Sequence, residues 1–116
     1  MTLRCVHPRT LEPVALTDEM RDQIVAIWDE SFPKIGFVQS DPTSLVAATE
    51  GRALTLEVFL QFGPDQDYLR FIFRNQGNAQ FCDLVLGSPD WDRLRSWVMD
   101  LRERVRNTAE DMKSWF

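Results

Sequence analysis

Between residues 54 and 62 the chain alternates without a break, with Leu54, Leu56, Val58, Leu60 and Phe62 on one side and Thr55, Glu57, Phe59 and Gln61 on the other. Successive side chains of extended backbone point to opposite faces, so a period of two held over nine residues predicts a strand with one face against a core. Such a strand needs neighbours, and the next segments supply them. GPDQD is a run of turn formers, and YLRFIFR follows it with Leu69, Phe71 and Phe73 opposed to Tyr68, Arg70, Ile72 and Arg74. After the turn residues NQGN, AQFCDLVL turns Cys82, Leu84 and Leu86 inward with Asp83 between them. The pattern predicts a three-stranded antiparallel meander with one apolar face and one mixed face, the mixed face carrying Phe59, Ile72, Phe81 and Val85. Thr2 to Val6 is a candidate edge strand.

An apolar sheet face requires a cover, and two segments have the spacing to provide it. Thr17 can cap a helix from Asp18 to Ser31, with Asp18 and Glu19 at the positive end of the dipole, Met20, Ile24, Ile27 and Trp28 on one face, and Pro33 as the stop. Asp41 and Pro42 resemble a cap and first-turn proline, so TSLVAATE, closed by Gly51, is expected to form a short second helix; the alternative is a loop. Ser88, Pro89 and Asp90 repeat the start signal. From there Trp91, Leu94, Val98, Leu101, Val105, Thr108, Met112 and Trp115 follow a heptad seam interrupted at Thr108. The expected architecture is α+β in a single domain, 1–116, with one or two N-terminal helices and a long C-terminal helix across the apolar face. Extended to Trp115 that helix would be about 40 Å long against about 30 Å for a nine-residue strand, and would outrun its sheet.

Size agrees with this reading: 116 residues, 44% hydrophobic and 27% charged, can build one core without disulfide or metal staples. Cys5 and Cys82 lie far apart with no CxxC spacing, and are expected as reduced thiols. With no apolar run of signal or membrane-span length, the chain reads as cytoplasmic. The formal charge of −5 is unevenly placed, because residues 1–88 hold 12 acids against 7 bases and residues 89–116 hold 6 of each. That balance argues against a nucleic-acid binder, which needs a net basic patch to neutralise phosphates.

Catalytic chemistry has little to stand on. His7 is the sole histidine and lies between Val6 and Pro8 in an irregular segment, so no Ser-His-Asp or Cys-His set is expected. Asp65 and Asp67 lack the further ligands of a calcium loop and read as hairpin-turn residues. The five glycines stand singly and build no phosphate loop. The reading is a non-enzyme with no cofactor and no metal; an apolar ligand pocket between sheet and helix is the remaining small-molecule alternative.

Binding to another protein is therefore the leading expectation. Asp18, Asp22 and Asp29 fall within about 40° of one another on the first helix, with Glu19 and Glu30 beside them, and form an acidic stripe suited to a larger basic partner. On the last helix Trp97 shares a face with Arg93, Asp100 and Arg104, an interface-like composition. Met112, Trp115 and Phe116 end the chain with an apolar patch that a partner or a second copy would cover. In size, charge and lack of a catalytic motif the chain resembles the small acidic inhibitors of phages and mobile elements, anti-CRISPR and toxin-immunity proteins among them. That likeness of format implies a non-catalytic inhibitor or adaptor covering a basic or nucleic-acid-binding surface, and assigns no residue roles. Acidic bacterial secretion chaperones are also broadly similar, and imply instead a homodimer through the C-terminal helix.

Overall fold

A computed structural model describes residues 6–75 and 77–108, with side chains apart from those of 40, 50 and 106–108. Among these residues two α-helices and five strands, with a short 3-10 helix (Glu50–Arg52) between the second and third strands, follow in the order α1 (Asp18–Ser31), β1 (Phe37–Asp41), β2 (Ser44–Ala48), β3 (Leu54–Phe62), β4 (Asp67–Asn75), β5 (Asn78–Val85) and α2 (Trp91–Thr108). The strands form one antiparallel sheet in sequence order. The α+β class and the antiparallel meander hold, but the sheet has five strands rather than three.

The two additional strands replace the second helix expected over TSLVAATE. Asp41 is not a helix cap: its Oδ1 accepts from both the backbone N–H and the hydroxyl of Thr43, each at 2.8 Å, which closes a tight turn through Pro42 and pairs Asp41 with Ser44. An aspartate bonding to backbone two residues on serves a turn as readily as a helix start. Two tertiary bonds hold the turn in place, from Leu16 N–H to the Pro42 carbonyl (2.8 Å) and from Leu60 N–H to that of Thr43 (3.1 Å). Gly51, expected to stop a helix, sits at φ +79° in the connection between β2 and β3, which Thr49 closes by accepting from Leu54 N–H at its hydroxyl (3.1 Å). The candidate strand at Thr2 to Val6 falls outside the described residues except for Val6, which bridges Pro13.

The meander itself follows the alternation. Register pairs Leu56 with Phe73, Val58 with Phe71 and Leu60 with Leu69, then Phe71 with Cys82 and Leu69 with Leu84, so one face of β3, β4 and β5 is continuously apolar. In the β3–β4 turn Gly63 has no room for a side chain, since a Cβ there would lie 2.7 Å from the Gln66 carbonyl oxygen.

Both helices lie against that apolar face. Thr17 caps α1 by accepting from Met20 N–H (3.1 Å), over the expected range, and Ile24, Ile27 and Trp28 are buried. Trp28 stacks on Phe32 (4.2 Å between ring centres) and its indole N–H donates to the Ile35 carbonyl (2.8 Å), which satisfies the one polar atom of the ring. Phe32 in turn meets Phe73. In α2, Leu94, Val98, Leu101 and Val105 are fully buried and Trp91 packs beside them, as the seam requires. Each such side chain contributes roughly 1.5–3 kcal/mol of apolar transfer. The capping residue of α2 is Asp90 rather than Ser88: its carboxylate accepts from Arg93 N–H at 3.1 Å, and Pro89 precedes the helix. Eighteen residues make α2 about 27 Å long, close to the span of β3 and β4. The continuation of the seam through Met112 and Trp115, and with it the overhang, lies outside the described residues.

Candidate functional site

Placing α1 and α2 on one face leaves the other face of the sheet without a described helix across it. Its composition follows from the register. One row runs from edge to edge through Val38, Val46, Glu57, Ile72 and Phe81; the next crosses Asp41, Ser44, Phe59, Arg70 and Asp83; a third holds Gln61, Tyr68 and Val85. Val38 is 70% exposed, Phe81 59% and Val85 40%. Ile72 at the centre is only 8% exposed, because long side chains lie beside it. Arg74 pairs with Glu57 (2.7 Å), and Arg70 grips Asp83 with two parallel bonds of 2.9 Å. This fork holds the Asp83 carboxyl below its ordinary range against the opposing effect of burial, and raises the Arg70 guanidinium. At the β1–β2 end, Gly36, Val38, Val46, Ala48 and Arg52 line a shallow depression of about 390 Å³.

The opposite side of the molecule carries the acidic stripe. Asp18, Asp22 and Asp29 are exposed on α1. Asp18 is ion-paired with Arg21, which also donates to Gln39, and Glu30 pairs with Arg95 of α2 (3.2 Å). Glu19, Asp22 and Asp29 make no ion pair among the described residues. On α2 the acids differ: Asp92 pairs with Arg95, Asp100 with Arg104 and Glu103 with Arg102.

The face of α2 that holds Arg93, Trp97 and Arg104 runs along β5. Arg93 donates to the Asp83 carbonyl (2.9 Å) and Arg104 to the Gln80 side chain (2.8 Å), so both arginines engage an edge strand. Trp97 is half-buried, its ring edge-on to Phe71 at 6.3 Å, and thus packs on the sheet. Met112, Trp115 and Phe116 lie outside the described residues.

A third constellation escaped the sequence reading. His7 is 7% exposed, sits edge-on to Phe62 (4.7 Å between ring centres), and has Nε2 2.8 Å from Asp67 Oδ2. Its Nδ1 accepts from Arg9 N–H at 3.0 Å, and the Arg9 guanidinium donates to Asp67 Oδ1 (2.7 Å) and to the Gly63 carbonyl. Burial opposes the charge on Asp67, but hydrogen bonds from His7 and Arg9 outweigh it and hold the carboxyl below its usual range. Nδ1 faces backbone and Nε2 a carboxylate, so both imidazole nitrogens are engaged within the protein. Sixty residues separate the partners, so only the turn hinted at the site.

Cys82 is buried and burial pushes its thiol up, which disfavours the thiolate. Among the described residues no group of three or more His, Cys, Asp or Glu side chains is placed to hold a metal ion. No helix of the described residues is long and apolar enough to cross a membrane. Comparison with protein-family models, with curated proteins and with solved structures finds no match for this chain.

Proposed function

We propose that the chain is a stoichiometric, non-catalytic binding module of the cytoplasm, inhibitory in action, whose helix α1 engages a basic or nucleic-acid-binding surface on a larger protein. The distribution of charge carries this reading: Arg70, Arg74, Arg95 and Arg104 are ion-paired with neighbouring acids and Arg93 is bonded to a backbone carbonyl, whereas Glu19, Asp22 and Asp29 on α1 are exposed and unpaired among the described residues. Carboxylates aligned on a rigid helix complement a positive surface, accelerate encounter with it and discriminate against partners of like charge. The helix is held rigid by Ile24, Ile27 and Trp28 in the core, so these acids need little ordering on binding. A small acidic inhibitor of the format the chain resembles would act in this way, by occupying a surface rather than by chemistry.

The test is affinity capture from a lysate of the source cells with the wild-type chain and with the triple variant Glu19→Gln, Asp22→Asn, Asp29→Asn, followed by titration of the captured protein against salt. Asp18 and Glu30 are kept because Arg21 and Arg95 already neutralise them. The expected result is a partner with a basic surface, bound about tenfold more weakly by the variant and with a flatter salt dependence. An unchanged affinity and salt slope would remove α1 from the mechanism.

A further inference from the structure

We propose that the open face of the sheet is a self-interface, on which a second copy of this chain stacks sheet to sheet. The inference is independent of the acidic-helix reading. Its first ground is charge. The chain carries −5, yet the charges of this face cancel: Arg70 is joined to Asp83 and Arg74 to Glu57, and at the β1–β2 end Arg52, which lines the depression, is offset by Asp41 beside Ser44. A basic partner gains no attraction there, whereas two copies meet on a neutral surface with their acidic helices turned outward, where mutual repulsion is weakest.

The second ground is shape. Val38 and Phe81 are the two ends of one cross-strand row, on edge strands β1 and β5. A twofold axis parallel to the strands lays β5 of one copy over β1 of the other. Phe81, a large ring 59% exposed, then enters the depression of about 390 Å³ lined by Val38, Val46 and Ala48, and the reciprocal contact forms at the other end. The third ground is area. Five strands about 4.8 Å apart, with rows about 7 Å apart along them, present a face of about 500 Å², and a pair of such faces buries roughly 1,000 Å², the lower bound for a specific interface. Edge-to-edge pairing is the less favoured route, because Arg93 occupies the Asp83 carbonyl on β5 and an irregularity between Gln39 and Asp41 interrupts β1.

Sedimentation equilibrium of the full chain tests this with three single variants: Phe81→Glu and Val38→Glu at opposite edges of the face, and Met99→Glu, 54% exposed on α2, as a helix-side control. Circular dichroism establishes that each is folded. The expected result is a wild-type dimer whose association weakens at least about tenfold in either face variant and is unchanged in Met99→Glu. A wild-type chain that remains monomeric overturns the proposal, as does a dimer that survives both face substitutions. Protection of the β1 and β5 amides from hydrogen exchange only when a different protein is added would identify a foreign occupant and also overturn it.

Discussion

Nε2 of His7 lies 2.8 Å from Oδ2 of Asp67, and this contact joins the segment before α1 to the start of β4 across sixty residues of chain. Because the Arg9 N–H points at Nδ1, the ring proton belongs on Nε2, where it donates to the carboxylate. Heteronuclear NMR should find His7 as the Nε2–H tautomer; a proton on Nδ1 would contradict the assignment. Replacing His7 by Ala removes a donor from Asp67 and the ring from Phe62, and should lower stability by about 1–3 kcal/mol, read from the urea midpoint.

Acid should destabilise the fold through its paired carboxyls. Asp83 and Asp67 are both lowered from an ordinary value of 3.8. The unfolded chain therefore takes up their protons first as pH falls. Their contribution is present above that value and is lost as pH drops through the lower folded values. Unfolding midpoints should be level from about pH 5 to 7 and fall steeply below about pH 4. Asp83→Asn, which no longer titrates, should be less stable at pH 7 and show a shallower acid limb; an acid limb identical to wild type would exclude the Arg70 pair as its source.

Two of the tryptophans packed on the core, Trp28 and Trp97, should differ in cost. Trp28→Phe strands the buried Ile35 carbonyl and leaves a void beside Phe32, and is expected to cost about 2–4 kcal/mol. Trp97→Phe keeps an aromatic edge against Phe71 at a half-buried position and should cost about 1 kcal/mol. Chemical denaturation of the two variants gives the comparison, and equal losses would contradict the packing described.

Thiol chemistry reports the core directly. In a Cys5→Ser background, Cys82 should resist an aromatic disulfide reagent at pH 8 until the protein unfolds, because burial raises the thiol above its ordinary 9.0 and closes access to it. Reaction at the rate of a free thiol would place β5 outside the core.

Much of this architecture was legible in the residues themselves. Strands β3 to β5 announce themselves by a period of two between runs of turn formers, and α1 by a capping Thr17 ahead of Ile24, Ile27 and Trp28 at helical spacing. The acidic stripe of α1 follows from that same spacing, since helix geometry alone decides which side chains share a face. The β1–β2 hairpin did not follow, because an Asp-Pro pair opens a helix or a turn equally well and Leu45, Val46, Ala47 and Ala48 form an apolar run too short to show a period. Tertiary contacts settled it: the Ser44 to Ala48 segment pairs with β3 from Phe59 to Thr55, and Leu16 and Leu60 bond the turn. The open face depends on that outcome. Which residues stand in one row across five strands is fixed by register, and a slip of one residue would turn Val38 and Val46 into the core and Phe37 and Ala47 out. Local spacing therefore determined the helices and the central meander, while hydrogen bonding between distant segments determined the edge of the sheet, the surface it exposes and the union of His7 with Asp67.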